Sequence, residues 1–444
     1  MLERVGAGLL LRGGSVQLLG GRGEAGSPSL RRSAGAARSR PGQGRLLRRR
    51  RRGRAGGSPT VRDAAVTGVT PRWSTLPRFR RDTMVWGVAS QRRGSACGLG
   101  QWVARMSAAA RAWTVRDGVP RFVEAPIAPG SAPCGTGRDT ALVRIRYAGV
   151  CGSDIPKLLP IWRGSLPTPW FPGHEIVGKD ARGDWVSVDP LIACHSCGAC
   201  QTGRTHLCRD LRRVGWDLPG GLAEMVQVPE SSIVKLPYLR DPAHGILADP
   251  MAVALHGIRC GLEARSGRLG VIGAGALGIC TAVCAASTGW DVHLAVRSAV
   301  RHQELQRALA GPRLSVHHRA LPPCDAVVDT ASGYDDSPLL QAVASVRDGG
   351  TVLVQNAYAP NVTLSLPLRD LFRRSVTLRG SFSYCRGSGH DDFRDALAFL
   401  THGGAWADLL TRDRYQLPEL PQALAALGRQ DHCRPLKVLL TSNT

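Results

Sequence analysis

From about residue 240 onward, short apolar runs alternate with longer amphipathic segments. The runs have the apolar density of buried strands, and each intervening segment has the length and pattern of a helix. Alternating strands and helices predict a parallel, doubly wound α/β sheet. The predicted strands are "RLGVIGAG", "DVHLAV", "DAVVDTA" and "GTVLVQNA", and the predicted helices are "ALGICTAVCAAS", "RHQELQRALA" and "SPLLQAVASV".

Upstream of residue 240 the predicted strands are shorter and are separated by glycine and proline. This pattern of short strands begins near Met106 and indicates a second, β-rich region. Its predicted strands are "ALVRIRYAGV", "GDWVSVDP" and "GLAEMVQVP". A chain of 444 residues is too long for one ordinary core, so two domains are expected.

The net charge of +24 is concentrated at one end of the chain. Residues 1 to 105 contain 22 arginines, no lysine and four acidic residues, a net charge of +18, which leaves only +6 for the rest. This low-complexity block has no core-forming pattern, and we expect it to be disordered. It could be a transit-type leader, a nucleic-acid-binding arm, or upstream sequence translated from too early a start codon, with Met84 or Met106 the true start.

A glycine motif joins the first strand of the α/β region to its helix. Gly273, Gly275 and Gly278 alternate with Ala274, Ala276 and Leu277 in "VIGAGALG". The first glycine permits a tight turn, the second lets the backbone approach a pyrophosphate, and the third permits close helix–strand packing. The helix N-terminus offers backbone donors to the anion. In this context the motif predicts dinucleotide binding.

The end of the second strand bears on which dinucleotide is used. An acidic residue is expected there if the protein binds the ribose of NAD. The chain has Val296 at that position, followed by Arg297 and Ser298. A cation and a hydroxyl suit the extra phosphate of NADP, so NADP is favoured over NAD. The alternative is that Arg297 is a solvated loop residue.

Four cysteines lie within fifteen residues, in "CHSCGACQTGRTHLC". Cys194, Cys197, Cys200 and Cys208 could form a redox pair, disulfides or a metal site. A redox pair needs only two of them, and the absence of a secretory signal together with a cytosolic-type fold disfavours disulfides. Their spacing suits a tetrahedral ion, so we predict a closed structural Zn²⁺ site.

A second set of metal-binding residue types lies nearby, in "YAGVCGSD" and "FPGHEIVG". Cys151, His174 and Glu175 offer a thiolate, an imidazole and a carboxylate. Three protein ligands leave one coordination position open, which is typical of a catalytic zinc. Taken singly, the cysteine could be a small buried hydrophobe and the histidine a hydrogen-bonded loop residue.

Together these motifs resemble the zinc-dependent medium-chain alcohol dehydrogenases of the polyol and threonine dehydrogenase branch. The resemblance runs from about residue 110 to the C-terminal "LKVLL" and includes "DPMAVALHG" and "DGGTVLV" in the order of that family. It implies a GroES-like catalytic domain (106 to 240, with a return at 386 to 444) around a Rossmann domain (241 to 385). It also implies a further metal ligand at Asp249 and a proton-accepting hydroxyl at Ser153.

The chain departs from the family pattern in places. Pro156 stands where many relatives have a histidine, and the interval between His174 and Asp189 is only 15 positions, shorter than usual. Lys157, Trp162 and Arg163 lie on a segment that lines the substrate cleft in relatives, where a cation could hold an anionic group; they could equally be surface residues. None of these changes removes a zinc ligand.

The expected activity is hydride transfer between NAD(P) and a secondary alcohol of the polyol, sugar, aminocyclitol or amino-alcohol type. Two alternatives are a zinc-independent quinone or enone reductase of the same fold and a zinc-finger-like nucleic-acid-binding protein. We expect a cytoplasmic homodimer or homotetramer whose partner is a small alcohol or ketone. No apolar run reaches the length of about 18 to 20 residues that spans a bilayer, so a membrane is not an expected partner. The cysteine lobe has few basic residues and no aromatic residue to stack on a base, so nucleic acid is not an expected partner either.

Overall fold

The computed structural model describes residues 109–126, 140–159, 166–167, 169–309, 311–331, 335–359, 362–387, 389–429, 431 and 434–443. The predictions made for residues 1 to 105, Met106, Trp162 and Arg163 lie outside these ranges.

The described strands are β1 (Ala109–Arg116), β2 (Val119–Pro126), β3 (Thr140–Val150), β4 (Glu175–Lys179), β5 (Trp185–Val188), β6 (Leu191–Ile192), β7 (Arg212–Arg213), β8 (Met225–Pro229), β9 (Ile233–Lys235), β10 (Arg268–Ile272), β11 (Asp291–Val296), β12 (Leu314–His318), β13 (Cys324–Asp329), β14 (Val346–Val354), β15 (Thr377–Gly380), β16 (Arg386–Gly387), β17 (His390–Asp391), β18 (Arg414–Gln416) and β19 (Val438–Thr441).

The described α-helices are α1 (Ile155–Leu158), α2 (Gly198–Gln201), α3 (Ala248–His256), α4 (Ala276–Ser287), α5 (Ala299–Ala308), α6 (Ser337–Ser345), α7 (Leu368–Arg374), α8 (Asp392–Leu400), α9 (Ala405–Thr411) and α10 (Leu420–Leu427). Short 3₁₀ helices cover Thr205–Leu207, Glu230–Ser232, Pro242–Leu247 and Leu417–Glu419, and a π-helical turn covers Gly257–Gly261. Within the described ranges, every helix is too short or too polar to cross a membrane.

A six-stranded parallel sheet has the order β12-β11-β10-β13-β14-β15. This is the order of the doubly wound dinucleotide-binding fold, in which the chain reverses direction across the sheet between β10 and β13. The predicted Rossmann fold is therefore confirmed. Strands β12 and β15 were not predicted, because "LSVHH" and "TLRG" carry too few apolar residues to stand out.

A second sheet contains seven strands, in the order β18-β19-β3-β4-β5-β9, with β8 paired to β3. Strands on both sides of the parallel sheet in the sequence thus join one mainly antiparallel sheet. This agrees with a GroES-like region built from two pieces of chain. The domain limits near residues 240 and 385 stay a prediction.

Helix α3 is part of the largest hydrophobic core. Met251, Ala252 and Ala254 on this helix are fully buried in a cluster that also contains Ile279 of α4 and Ala396 of α8. The helix therefore has a fixed position. It carries Asp249 in its first turn and His256 at its last residue. Those two residues belong to different side-chain clusters, described below.

Candidate functional site

The predicted catalytic trio converges in the structure. Cys151 directly follows β3, Glu175 begins β4, and the two strands pair with Gly149 opposite Glu175. One ligand atom each from Cys151, His174 and Glu175 lies within 4.8 Å of the others. A Cβ at Gly149 would lie 1.9 Å from Glu175 Oε2, so glycine is what leaves room for the carboxylate. Strand pairing thus assembles the trio.

Asp154 supports the imidazole of His174, a role that was not predicted. Its Oδ2 lies 3.5 Å from His174 Nδ1, and the carboxylate is fully buried. Burial opposes protonation of His174, but the charges and hydrogen bonds of Asp154 and Cys151 outweigh it and raise the pKa of His174 well above its usual range. A carboxylate on the far nitrogen of a metal-binding histidine fixes the orientation of the ring. The sequence signal that could have identified Asp154 was its position three residues after Cys151.

Lys437 is a second unpredicted member of the site. It directly precedes β19, which pairs with β3, and its ammonium forms an ion pair with Glu175 Oε2. Burial lowers the pKa of Lys437, but the charges of Glu175 and Cys151 outweigh this and raise it. The sequence signal that could have identified Lys437 was a lysine within the apolar run "LKVLL". A buried lysine needs a buried anion beside it.

Asp249 approaches the trio from the first turn of α3. Its Oδ2 lies 4.0 Å from His174 Nε2, and burial raises its pKa to about 6, an effect that the charge of His174 partly opposes. It lies outside the close cluster of three. Its role as a further or alternating ligand stays a prediction.

The chemistry of this site suits a divalent cation. Four acidic groups (Cys151, Asp154, Glu175 and Asp249) surround the imidazole of His174 and the ammonium of Lys437, and the pKa values of both these basic groups are raised. The site thus favours positive charge at its centre. A thiolate, an imidazole and a carboxylate are ligands of catalytic zinc. The residues present therefore fit a Zn²⁺ ion.

The residues after Cys151 form the short helix α1. Ser153, two residues after Cys151, is half-buried, and Pro156 occupies the second helical position. Lys157 is only 2% exposed. Its ammonium donates to the carbonyl of Ser153 and lies 3.8 Å from the centroid of the Trp216 ring. Lys157 is thus a buried cation close to the trio rather than a surface residue.

The four-cysteine lobe also closes on itself. The Sγ–Sγ distances are 3.6 Å for Cys197–Cys200, 3.9 Å for Cys197–Cys208 and 4.0 Å for Cys194–Cys200. A tetrahedral ion with zinc–sulfur bonds of about 2.3 Å requires sulfur atoms roughly 3.8 Å apart. All ten cysteines in the described part of the chain are free thiols. The geometry fits the predicted structural zinc site, and disulfides among these four are absent.

The glycine loop lies at the switch point of the parallel sheet. Gly273 follows β10 with a φ of +98°, which favours glycine, and α4 begins at Ala276. A Cβ at Gly278 would lie 1.8 Å from the Gly273 carbonyl oxygen, whereas one at Gly275 would meet nothing within 4 Å. The third glycine is thus required for packing, and the second faces open space. That space suits a pyrophosphate at the N-terminus of α4.

The end of β11 lies where the sequence predicts it. The strand ends at Val296, which is buried, and Arg297 is exposed. Ser298 is the N-cap of α5, and its hydroxyl accepts a hydrogen bond from the Arg301 backbone N–H at 3.3 Å. The pKa of Asp335 is lowered chiefly by hydrogen bonds from Ser337 and in part by the charge of Arg297. The C-terminal end of β11 is thus followed by the exposed guanidinium of Arg297, and Val296 supplies no carboxylate there.

The chain is similar to known dehydrogenases. Residues 137–238 match the alcohol dehydrogenase GroES-like domain. The chain is 31% identical to D-altritol 5-dehydrogenase of Agrobacterium fabrum over 63% of this chain and 86% of that protein. It is 28% identical to L-galactonate-5-dehydrogenase of Escherichia coli over 64% of this chain and 87% of that protein.

A solved structure shares the fold. A zinc-binding dehydrogenase of Sinorhizobium meliloti, bound to NADP, superposes with a TM-score of 0.62 at 23% identity and covers 75% of this chain and 99% of its own. With the GroES-like match, the Rossmann sheet and the relatives above, the resemblance inferred from the motifs is confirmed. The chain belongs to the zinc-dependent alcohol dehydrogenase family.

Proposed function

We propose that this protein oxidises a secondary hydroxyl group of a polyol or sugar acid and transfers the hydride to NADP in preference to NAD. Zinc-dependent transfer of hydride between an alcohol and a nicotinamide dinucleotide is the activity of the family to which the chain belongs. The observation that carries the proposal is the convergence of Cys151, His174 and Glu175 within 4.8 Å. A zinc-independent reductase has no use for this trio.

The residues of the site divide the work. Cys151, His174 and Glu175 would hold a zinc ion, which would supply Lewis-acid polarisation of the alcohol oxygen and so lower the pKa of the hydroxyl group. The glycine loop would hold a nicotinamide dinucleotide, which would supply the hydride acceptor. Ser153, two residues after Cys151, accepts the hydroxyl proton. Pro156 has no group that can relay this proton, so its outward path must use water or another group.

The substrate class rests on the names of the two relatives. The relatives of A. fabrum and E. coli are named D-altritol 5-dehydrogenase and L-galactonate-5-dehydrogenase, so a polyol or a sugar acid is the substrate class that we propose.

Asp154 is a positioning residue for His174. Asp154→Asn should lower kcat/KM by about 10- to 100-fold, because loss of such a partner weakens the metal ligand by that amount. Catalytic zinc should also be lost at lower chelator concentration, while the melting temperature stays close to that of the wild type. Asp348→Asn, in an exposed carboxylate, is the matched control. Unchanged kcat/KM and unchanged chelator sensitivity in Asp154→Asn would refute this role.

The cofactor preference depends on Arg297 and Val296. A guanidinium–phosphate contact contributes about 1.5 to 3 kcal/mol, or roughly ten- to a hundredfold in affinity. Arg297→Ala should therefore reduce the preference for NADP by that factor, and Val296→Asp should reverse it. The measurement is kcat/KM for both cofactors in each variant, with Arg313→Ala as a surface control. Equal use of NAD and NADP by the wild type, unchanged by Arg297→Ala, would contradict this interpretation.

The experiment that tests the proposed function is a substrate panel. Polyols, sugar acids, aminocyclitols and amino alcohols are each offered with NAD and with NADP, and the absorbance of the reduced cofactor is followed. We expect turnover of a polyol or sugar acid that is abolished by removal of zinc. Turnover that survives complete zinc removal, or activity confined to enones or quinones, would contradict the proposal.

We further propose that the protein acts in the cytoplasm as a homodimer or homotetramer.

A further inference from the structure

A third cluster of metal-binding side chains lies at the other end of α3. Asp249 is in the first turn of this helix and His256 is its last residue, so the helical rise separates them by about 10 Å. The remaining members come from the β16–β17 hairpin and the start of α8: Cys385, His390 and Asp392. The cluster is therefore distinct from both predicted zinc sites.

The four side chains offer one ligand atom each within 4.8 Å of one another. Cys385 Sγ lies 3.5 Å from His390 Nε2, and His390 Nε2 lies 3.9 Å from Asp392 Oδ1. His256 Nδ1 lies 2.9 Å from Asp392 Oδ2. Ligands of a tetrahedral zinc ion lie about 3.3 to 3.8 Å apart. The distances from His390 to Cys385 and to Asp392 are close to that range. The distance between His256 and Asp392 is that of a hydrogen bond, and a bound ion would replace its proton.

The surroundings of the cluster orient its carboxylate. Asp392 is completely buried, and it accepts hydrogen bonds from Arg259 at 3.1 Å and from the Cys385 backbone N–H at 3.0 Å. Such outer partners fix the direction of a ligating carboxylate. His256 and Cys385 are also buried, whereas the His390 side chain is 27% exposed. His390 therefore gives an ion access to an otherwise buried site.

The buried contact between His256 and Asp392 offers a place for a cation. His256 Nδ1 lies 2.9 Å from Asp392 Oδ2, so a proton bridges a buried imidazole and a buried carboxylate. A divalent ion can take the place of that proton, since metal binding at such ligands releases protons.

We propose that His256, Cys385, His390 and Asp392 bind a third Zn²⁺ ion. One thiolate, two imidazoles and one carboxylate suit zinc and exclude calcium and magnesium, which take oxygen ligands. With four protein ligands the site is closed to substrate and therefore structural. It ties the end of α3 to the hairpin, beside His206 of the cysteine lobe, whose ring lies 4.6 Å from that of His256.

Metal analysis of the full-length protein tests this proposal. After exposure to zinc and removal of loosely bound ions, the wild type should hold three zinc ions per chain. His390→Ala and Cys385→Ser should each hold two. His402→Ala, in an exposed histidine outside the cluster, is the matched control and should hold three. Two ions in the wild type, or three in both cluster variants, would overturn the proposal.

A second measurement does not depend on the folding of a variant. Anomalous scattering at the zinc edge from a wild-type crystal should show a peak enclosed by the four side chains, separate from those of the two family sites. Density without such a peak would mean that the cluster is a hydrogen-bonded network only. The proposed dehydrogenase function is independent of this result, because it requires only the ions at Cys151 and at Cys194.

Discussion

Replacing His174 with alanine should abolish dehydrogenase activity. The imidazole is one of three closely spaced candidate ligands of the catalytic ion among the described residues, and it lies within reach of both Asp154 and Asp249. Lewis-acid activation of an alcohol is worth several kcal/mol, so its loss should lower kcat/KM by about 10³-fold or more. Zinc content should fall by one ion per chain, because the two remaining ligands no longer hold the metal.

The control for this variant is His402→Ala, in which an exposed histidine is removed from the surface. It should keep wild-type activity and zinc content. Circular dichroism and thermal melting of His174→Ala should stay close to those of the wild type, since His174 lies in a loop just before β4. Activity within tenfold of the wild type in His174→Ala would show that the trio does not form the catalytic metal site.

Replacing Cys200 with serine should unfold the cysteine lobe. Cys200 Sγ lies 3.6 Å from Cys197 Sγ and 4.0 Å from Cys194 Sγ. Structural zinc contributes folding free energy directly, on the order of 10 kcal/mol in small zinc peptides. The variant should lose one zinc ion and melt at a markedly lower temperature, while molecules that remain folded keep the catalytic trio.

Cys324→Ser is the matched control for that experiment. Cys324 is fully buried and donates to the Pro322 carbonyl at 3.1 Å, a bond that serine can keep. This variant should retain its zinc content and most of its stability. Wild-type stability with unchanged zinc content in Cys200→Ser would contradict a structural zinc site in the lobe.

The parts of the molecule that the sequence predicts are those specified by local patterns. "DVHLAV" corresponds to β11 and "ALGICTAVCAAS" to α4, because each has a dense apolar run bounded by glycine or a polar residue. The glycine loop and the four cysteines could be found from spacing alone. The trio needed two separate motifs to be combined, and antiparallel pairing of β3 with β4 brings them together.

The parts that could not be predicted depend on contacts between distant residues. Lys437 meets Glu175 only because β19 pairs with β3, and nothing near either residue in the sequence indicates that pairing. Asp154 lies in the motif that was used, but its ion pair with His174 depends on the fold of the loop that carries the histidine. The cluster around His256 joins α3 to a hairpin more than 120 residues away, as its 2.9 Å bond to Asp392 at a separation of 136 residues shows.

The most direct test of the central claim is to follow the transferred hydrogen. The alcohol that the substrate panel identifies is prepared with deuterium on its carbinol carbon and incubated with the zinc-loaded protein and oxidised NADP or NAD. Mass spectrometry of the reduced cofactor should then show one deuterium on the nicotinamide ring, and His174→Ala should show none. Reduced cofactor without deuterium, or equal labelling in His174→Ala, would contradict zinc-dependent hydride transfer at this site.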